Sequence, residues 1–126
     1  MARACAQGNG VPPDDAQVPV DLGHLRRFTM GDERLEIEIL GLFADQLPIT
    51  ISALKNAQSE KEWGMAAHTL KGSARAVGAW SLATIAESAE RLKPLPDAAE
   101  RGHVVRRLEE AAGAARRYIA SLGPAA

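Results

Sequence analysis

Apolar residues recur along this chain at the spacing of helices, and no stretch alternates as a half-buried strand would. Asp21 is placed to cap a short helix with Leu22, Leu25 and Phe28 on one face, and Gly31 supplies its stop. Asp32 caps a long helix that runs to about Ala57. Its apolar positions form two stripes: Leu40, Phe43, Leu47, Ile51 and Leu54, then Leu35, Ile39, Leu42 and Ile49. Pro48 kinks this helix rather than ending it, because the pattern continues on both sides. Ser59 with Glu62 makes a capping box for a third helix, whose stripe is Trp63, Ala66, Ala67, Leu70, Ala74 and Val77. Gly78 ends it. Ser81 is the expected cap of a fourth helix carrying Leu82, Ile85, Ala86, Ala89 and Leu92, closed by Pro94 and Pro96. Asp97 with Glu100 opens a last helix from Val104 through Leu108, Ala112 and Ile119 to Leu122, where Gly123-Pro124 stops it.

Four substantial helices on short connections favour antiparallel neighbours. The expected fold is therefore all-α: an antiparallel up-down-up-down four-helix bundle with a short additional N-terminal helix across one end. Residues 1–19 read as a flexible tail, punctuated by Gly8, Gly10, Pro12, Pro13 and Pro19. The bundle is expected over 20–123, with 124–126 as a C-terminal tail. One seam of a small bundle needs one broad apolar stripe, so the long second helix carries a surplus. Either the short first helix covers that surplus, or part of it stays exposed as a docking patch. The docking edge is assigned to Leu40, Phe43 and Leu47.

Composition narrows the function. The chain of 126 residues fits one domain, and its 4% aromatic content with abundant alanine suits closely packed helices. A net charge of −1 argues against bulk binding to nucleic acid or a membrane surface. Cys5 is the single cysteine, which excludes an intramolecular disulfide or a cysteine-based metal site. No apolar run is expected to approach the roughly 18 residues of a membrane span. Gly8, Asn9 and Gly10 break up any N-terminal signal core, so a cytoplasmic protein is expected.

The candidate chemistry lies on the third helix. At about 100° per residue, His68 points about 150° away from the centre of the apolar stripe. Gly64 and Gly72 stand one turn either side of it, with Lys71 and Arg75 on the same outward side. Each mid-helix glycine costs about 1 kcal/mol relative to alanine. Their effect here is to strip side chains from around one imidazole, beside two cations, which suits a ring that accepts an anionic group. His24 and His103 stand apart from it, and no pair has metal-ligand spacing. No Walker A or G-x-G-x-x-G stretch is present, so the chain is not expected to bind ATP or to be a kinase.

His68-Thr69-Leu70-Lys71-Gly72-Ser73-Ala74, followed by Val77-Gly78-Ala79, resembles the motif of histidine-containing phosphotransfer (HPt) domains. The resemblance runs from about Val20 to Leu122. It differs from a kinase dimerisation helix, where an acidic residue follows the histidine; here Thr69 follows. It implies a four-helix bundle that carries a phosphoryl group on Nε2 of His68 and exchanges it with aspartates of receiver domains. Those partners are a response-regulator receiver and a hybrid histidine kinase receiver. It implies no cofactor or metal on this chain, with Mg²⁺ supplied by the receiver. Lys71 is the candidate for stabilising phosphoryl charge, Gly72 for clearance, and Ser73 and Arg75 for support. The second ring nitrogen needs an orienting partner, for which Glu87 and Glu90 are candidates, though a glutamate would also repel a phosphoryl group. A monomeric bacterial phosphorelay carrier is the expected protein. The alternative is a non-phosphorylating adaptor or inhibitor with the same fold.

Overall fold

The structure, a computed structural model, describes residues 18–122. Among them are five helices: α1 (Leu22–Thr29), α2 (Glu33–Lys55), α3 (Glu60–Val77), α4 (Trp80–Glu90) and α5 (Ala98–Ser121). Each long helix packs on its chain neighbours, and α5 closes the ring against α2. The fold is the all-α bundle that periodicity predicts, with α1 laid against α2 and α3.

The caps explain most of the boundaries. Asp21, Asp32, Ser59 and Asp97 each accept a backbone N–H from three residues on, which satisfies an otherwise orphaned donor. At α3 the Glu62 carboxylate returns to the Gln58 N–H at 2.8 Å, one residue before the cap itself. α2 continues through Pro48. The expectation that Ser81 caps α4 is corrected: α4 begins at Trp80, its N-cap is Ala79, and no side chain caps it. The cause is the tight turn before it. Gly78 takes φ +83°, and the Ala79 N–H returns to Ala74 O at 2.8 Å, so the chain enters α4 at once. Ser81 therefore falls in the first turn. The Gly123-Pro124 stop lies outside the described residues, as do residues 1–17.

Val18–Val20 form a bend, and Val20 is fully buried. From there Asp21 ties the end of the bundle together. Its N–H donates to Gly78 O at 2.9 Å, and its carboxylate accepts the Trp80 indole N–H at 3.1 Å. His24 is half-buried, edge-on to Trp80. Glu36 is buried but partnered: Thr29 Oγ1 donates to it at 2.8 Å and Arg26 lies at 3.4 Å, which fixes α1 on α2.

The core stripes are those of the sequence. Trp63, Ala67, Leu70, Ala74 and Val77 of α3 are buried against Leu40, Phe43, Leu47, Ile51 and Leu54 of α2 and the inner faces of α4 and α5. This corrects the docking assignment. Leu40, Phe43 and Leu47 are 1%, 6% and 1% exposed, so they form the seam and offer nothing to a partner. The surplus is the other stripe: Leu35, Leu42 and Ile49 stay exposed because the short α1 does not reach over them. That surplus also gives an 18-residue window of α2 a mean hydropathy of 1.4, enough by length and composition for a bilayer span. The expectation that no stretch approaches a span is to that extent revised, although one face of α2 is the bundle core.

Candidate functional site

α3 aims His68 outward because its opposite face is fixed. Trp63 is fully buried, and its indole N–H donates to Ala89 O at 2.7 Å. That bond joins the first turn of α3 to the last turn of α4, and so sets the height at which Glu90, the next residue, meets α3. The His68 side chain is 68% exposed.

Glu90 uses its two oxygens on two partners. Oε2 lies 2.8 Å from His68 Nδ1, and Oε1 accepts from Lys71 Nζ at 2.6 Å. The Lys71 hydrogen bond, followed by that from His68, holds the Glu90 carboxyl below the usual carboxylate range. Glu90 is therefore an ionised, acceptor-only group near neutral pH. The nitrogen facing it must carry the proton, and in the neutral ring that leaves the lone pair on Nε2. Of the two orienting candidates, Glu90 is the one in contact. Glu87 instead meets Arg75 at 3.6 Å and Arg91 at 3.1 Å, one turn further along the α3–α4 seam. So Arg75 lies on the expected side but is engaged away from the ring. Ser73 is exposed about 140° round the helix from His68 and takes no part in the cluster.

Gly64 and Gly72 leave the expected space. A Cβ at either would meet nothing within 4 Å, and neither has the positive φ that would demand glycine. His68 lies in an open depression lined also by Gly64, Met65, Thr69, Glu90 and Lys93. Met65, 62% exposed, and Lys93 escaped the sequence reading. Met65 sits at i−3 from His68 outside the core stripe, a signal that was legible. Lys93 follows α4, and its place depends on the α3–α4 packing.

A four-helix bundle presenting a solvent-facing histidine, whose ring meets a carboxylate that a lysine also engages, is the structural class in view. Residues 38–118, from α2 into the last turns of α5, match the family model for the Hpt domain. The chain belongs to that family, which carries a phosphotransfer role in phosphorelays and an interaction with receiver domains. No curated protein and no solved structure matched the chain.

Proposed function

We propose that this chain is a phosphorelay carrier in which His68 Nε2 accepts a phosphoryl group from one receiver aspartate and yields it to another. The observation that carries this reading is the His68 ring itself: exposed, its Nδ1 engaged by Glu90, its surroundings cleared at Gly64 and Gly72. Phosphoryl transfer asks for position and charge balance more than for covalent catalysis by the carrier. Lys71 supplies that balance. Its ammonium has three donors, one of them on Glu90, so the glutamate's charge is offset where it would otherwise repel phosphoryl oxygens. The donor is a hybrid kinase receiver and the acceptor a response-regulator receiver, each bringing its own Mg²⁺. The setting is a bacterial cytoplasm, and the carrier acts as a monomer.

The docking face combines α2 and α3. Lys55, on one flank of α2, pairs with Glu109 of α5 at 3.2 Å. The helical period puts Leu42 and Ile49 on the outer face of α2, about 120–140° round from Lys55. With Met65 of α3 they are exposed apolar residues, and we take them as the apolar part of the docking face. The test is to mix the chain with a phosphorylated receiver and look for acid-labile, base-stable label. Label on the wild type that vanishes in His68→Gln supports the reading. Label that persists in His68→Gln overturns it, and receiver binding without any label supports the adaptor instead.

A further inference from the structure

The contact at Nδ1 has a consequence for the phosphorylated state, given His68 as the phospho-acceptor. An imidazole phosphorylated on Nε2 keeps one nitrogen that can hold or lose a proton, and Glu90 Oε2 lies 2.8 Å from that nitrogen. Lys71, 2.6 Å from the other oxygen, keeps the carboxylate anionic. We infer that Glu90 retains the proton on Nδ1 through the whole phosphoryl cycle, so that the loaded ring is a protonated phosphoimidazolium, ready for onward transfer rather than built for storage.

The balance is simple. On loading, the Nε2 lone pair bonds to phosphorus, the P–O bond to the donor carboxylate breaks, and that oxygen leaves with the electron pair. The ring becomes cationic and its Nδ1–H faces the Glu90 anion. On unloading, an incoming carboxylate oxygen bonds to phosphorus, the N–P bond breaks, and its electrons return to Nε2. The ring leaves neutral with its Nδ1 proton still in place. No proton passes to or from water in either direction. A loaded ring without an anion at Nδ1 loses that proton more readily, and would then have to depart as an imidazolate, a far poorer leaving group.

The charged groups facing the ring are few. From α3 itself come Glu60, Lys61 and Lys71; from α4 comes Glu90; from the segment after it comes Lys93. Of these, Glu90 touches the ring. It is a positioning residue, acting on the reacting Nε2 through the other nitrogen.

Phosphoramidate provides a partner-free test, since it gives its phosphoryl group to imidazole and releases ammonia. After loading and removal of the donor, ³¹P NMR follows loss of the N–P signal across neutral to mildly alkaline pH in the wild type and in Glu90→Gln. The amide keeps the shape and removes the charge. In Glu90→Gln the label should last about three- to tenfold longer at mildly alkaline pH, and the fall in hydrolysis rate should begin at lower pH. Lys71→Ala should shift the profile less than Glu90→Gln does. A merely structural Glu90 would change the extent of loading without moving the pH profile. Superimposable profiles overturn the inference while leaving His68 as acceptor. No label at His68 in the folded wild type overturns the acceptor reading and this inference with it.

Discussion

Gly64 and Gly72 trade fold stability for access to one ring, and both sides of that trade can be measured. Each costs α3 about 1 kcal/mol relative to alanine. With nothing within 4 Å of an added Cβ, no clash offsets the gain from substitution. The two lie eight residues apart in sequence, about 12 Å along the helix axis, far enough for their effects to add. Gly64→Ala/Gly72→Ala should therefore gain about 2 kcal/mol, which for a domain of this size raises Tm by about 8 °C. Glutamine is also a better helix former than glycine, so Gly64→Gln and Gly72→Gln should melt no lower than wild type. Their side chains, however, fill needed space. Gly64 lines the depression that holds the ring, and helical side chains lean toward the N-terminus, so one at position 72 would lean over His68. Misplacing a reacting partner by about 1 Å costs about a hundredfold in rate. Both glutamine variants should thus transfer phosphoryl at least about tenfold more slowly while melting at or above the wild-type temperature. Gly102→Ala on α5, where an added Cβ also meets nothing within 4 Å, is the control: it should raise Tm and leave transfer unchanged. Thermal melts by circular dichroism and single-turnover transfer from a phosphorylated receiver supply the readouts. Glutamine variants that transfer at the wild-type rate would refute the clearance argument, and alanine variants that lower Tm would show a structural need for glycine.

Four further outcomes follow from the same geometry. Gly78→Ala should destabilise the bundle by about 2 kcal/mol or more in denaturant titration, because φ is +83° and the new Cβ would lie 2.8 Å from Asp21 O; wild-type stability would contradict the Asp21 tie. Leu47→Ala should cost about 2–5 kcal/mol of stability, as a fully buried leucine. Leu42→Asp, on the exposed stripe, should melt like wild type yet weaken receiver binding in calorimetry, and unchanged affinity would move the docking face elsewhere. The lowered carboxyl of Glu90 gives a signed pH dependence: its contacts contribute fully above the ordinary carboxylate value and are lost as pH falls through the lowered one. In an acid titration by ¹³C NMR, Glu90 should stay ionised after exposed glutamates without such partners have protonated; titration in step with them would contradict the Lys71–Glu90–His68 geometry.

The helices and their core faces were legible because each stripe is carried by a single segment at helical spacing. Trp63, Ala67, Leu70 and Ala74 fix the outward direction of His68 with no knowledge of the neighbours. What spacing could not give is the register between segments. Spacing alone offered both Glu87 and Glu90, and the Trp63–Ala89 bond sets the height of α4 against α3 that brings Glu90 to the ring. The two stripes of α2 were both apolar in sequence; packing on α3 and α5 chose the one that is buried, and the short α1 left Leu35, Leu42 and Ile49 of the other bare. Ser81 misled because a serine ahead of an apolar stripe is a cap signal, whereas the Gly78 turn delivers the chain into α4 without one. The concern that a glutamate beside the histidine would repel phosphate was sound electrostatics. It lacked Lys71, which sequence placed beside the ring and the fold places on Glu90.

Locating the phosphoryl group on a single atom is the decisive measurement. The chain, uniformly labelled with ¹⁵N and phosphorylated by its receiver, should show ¹⁵N–³¹P coupling at Nε2 of His68, with Nδ1 still protonated and facing Glu90. Coupling at Nδ1, or phosphate on any other residue, would contradict the role of Glu90 and the reading of the site built on it.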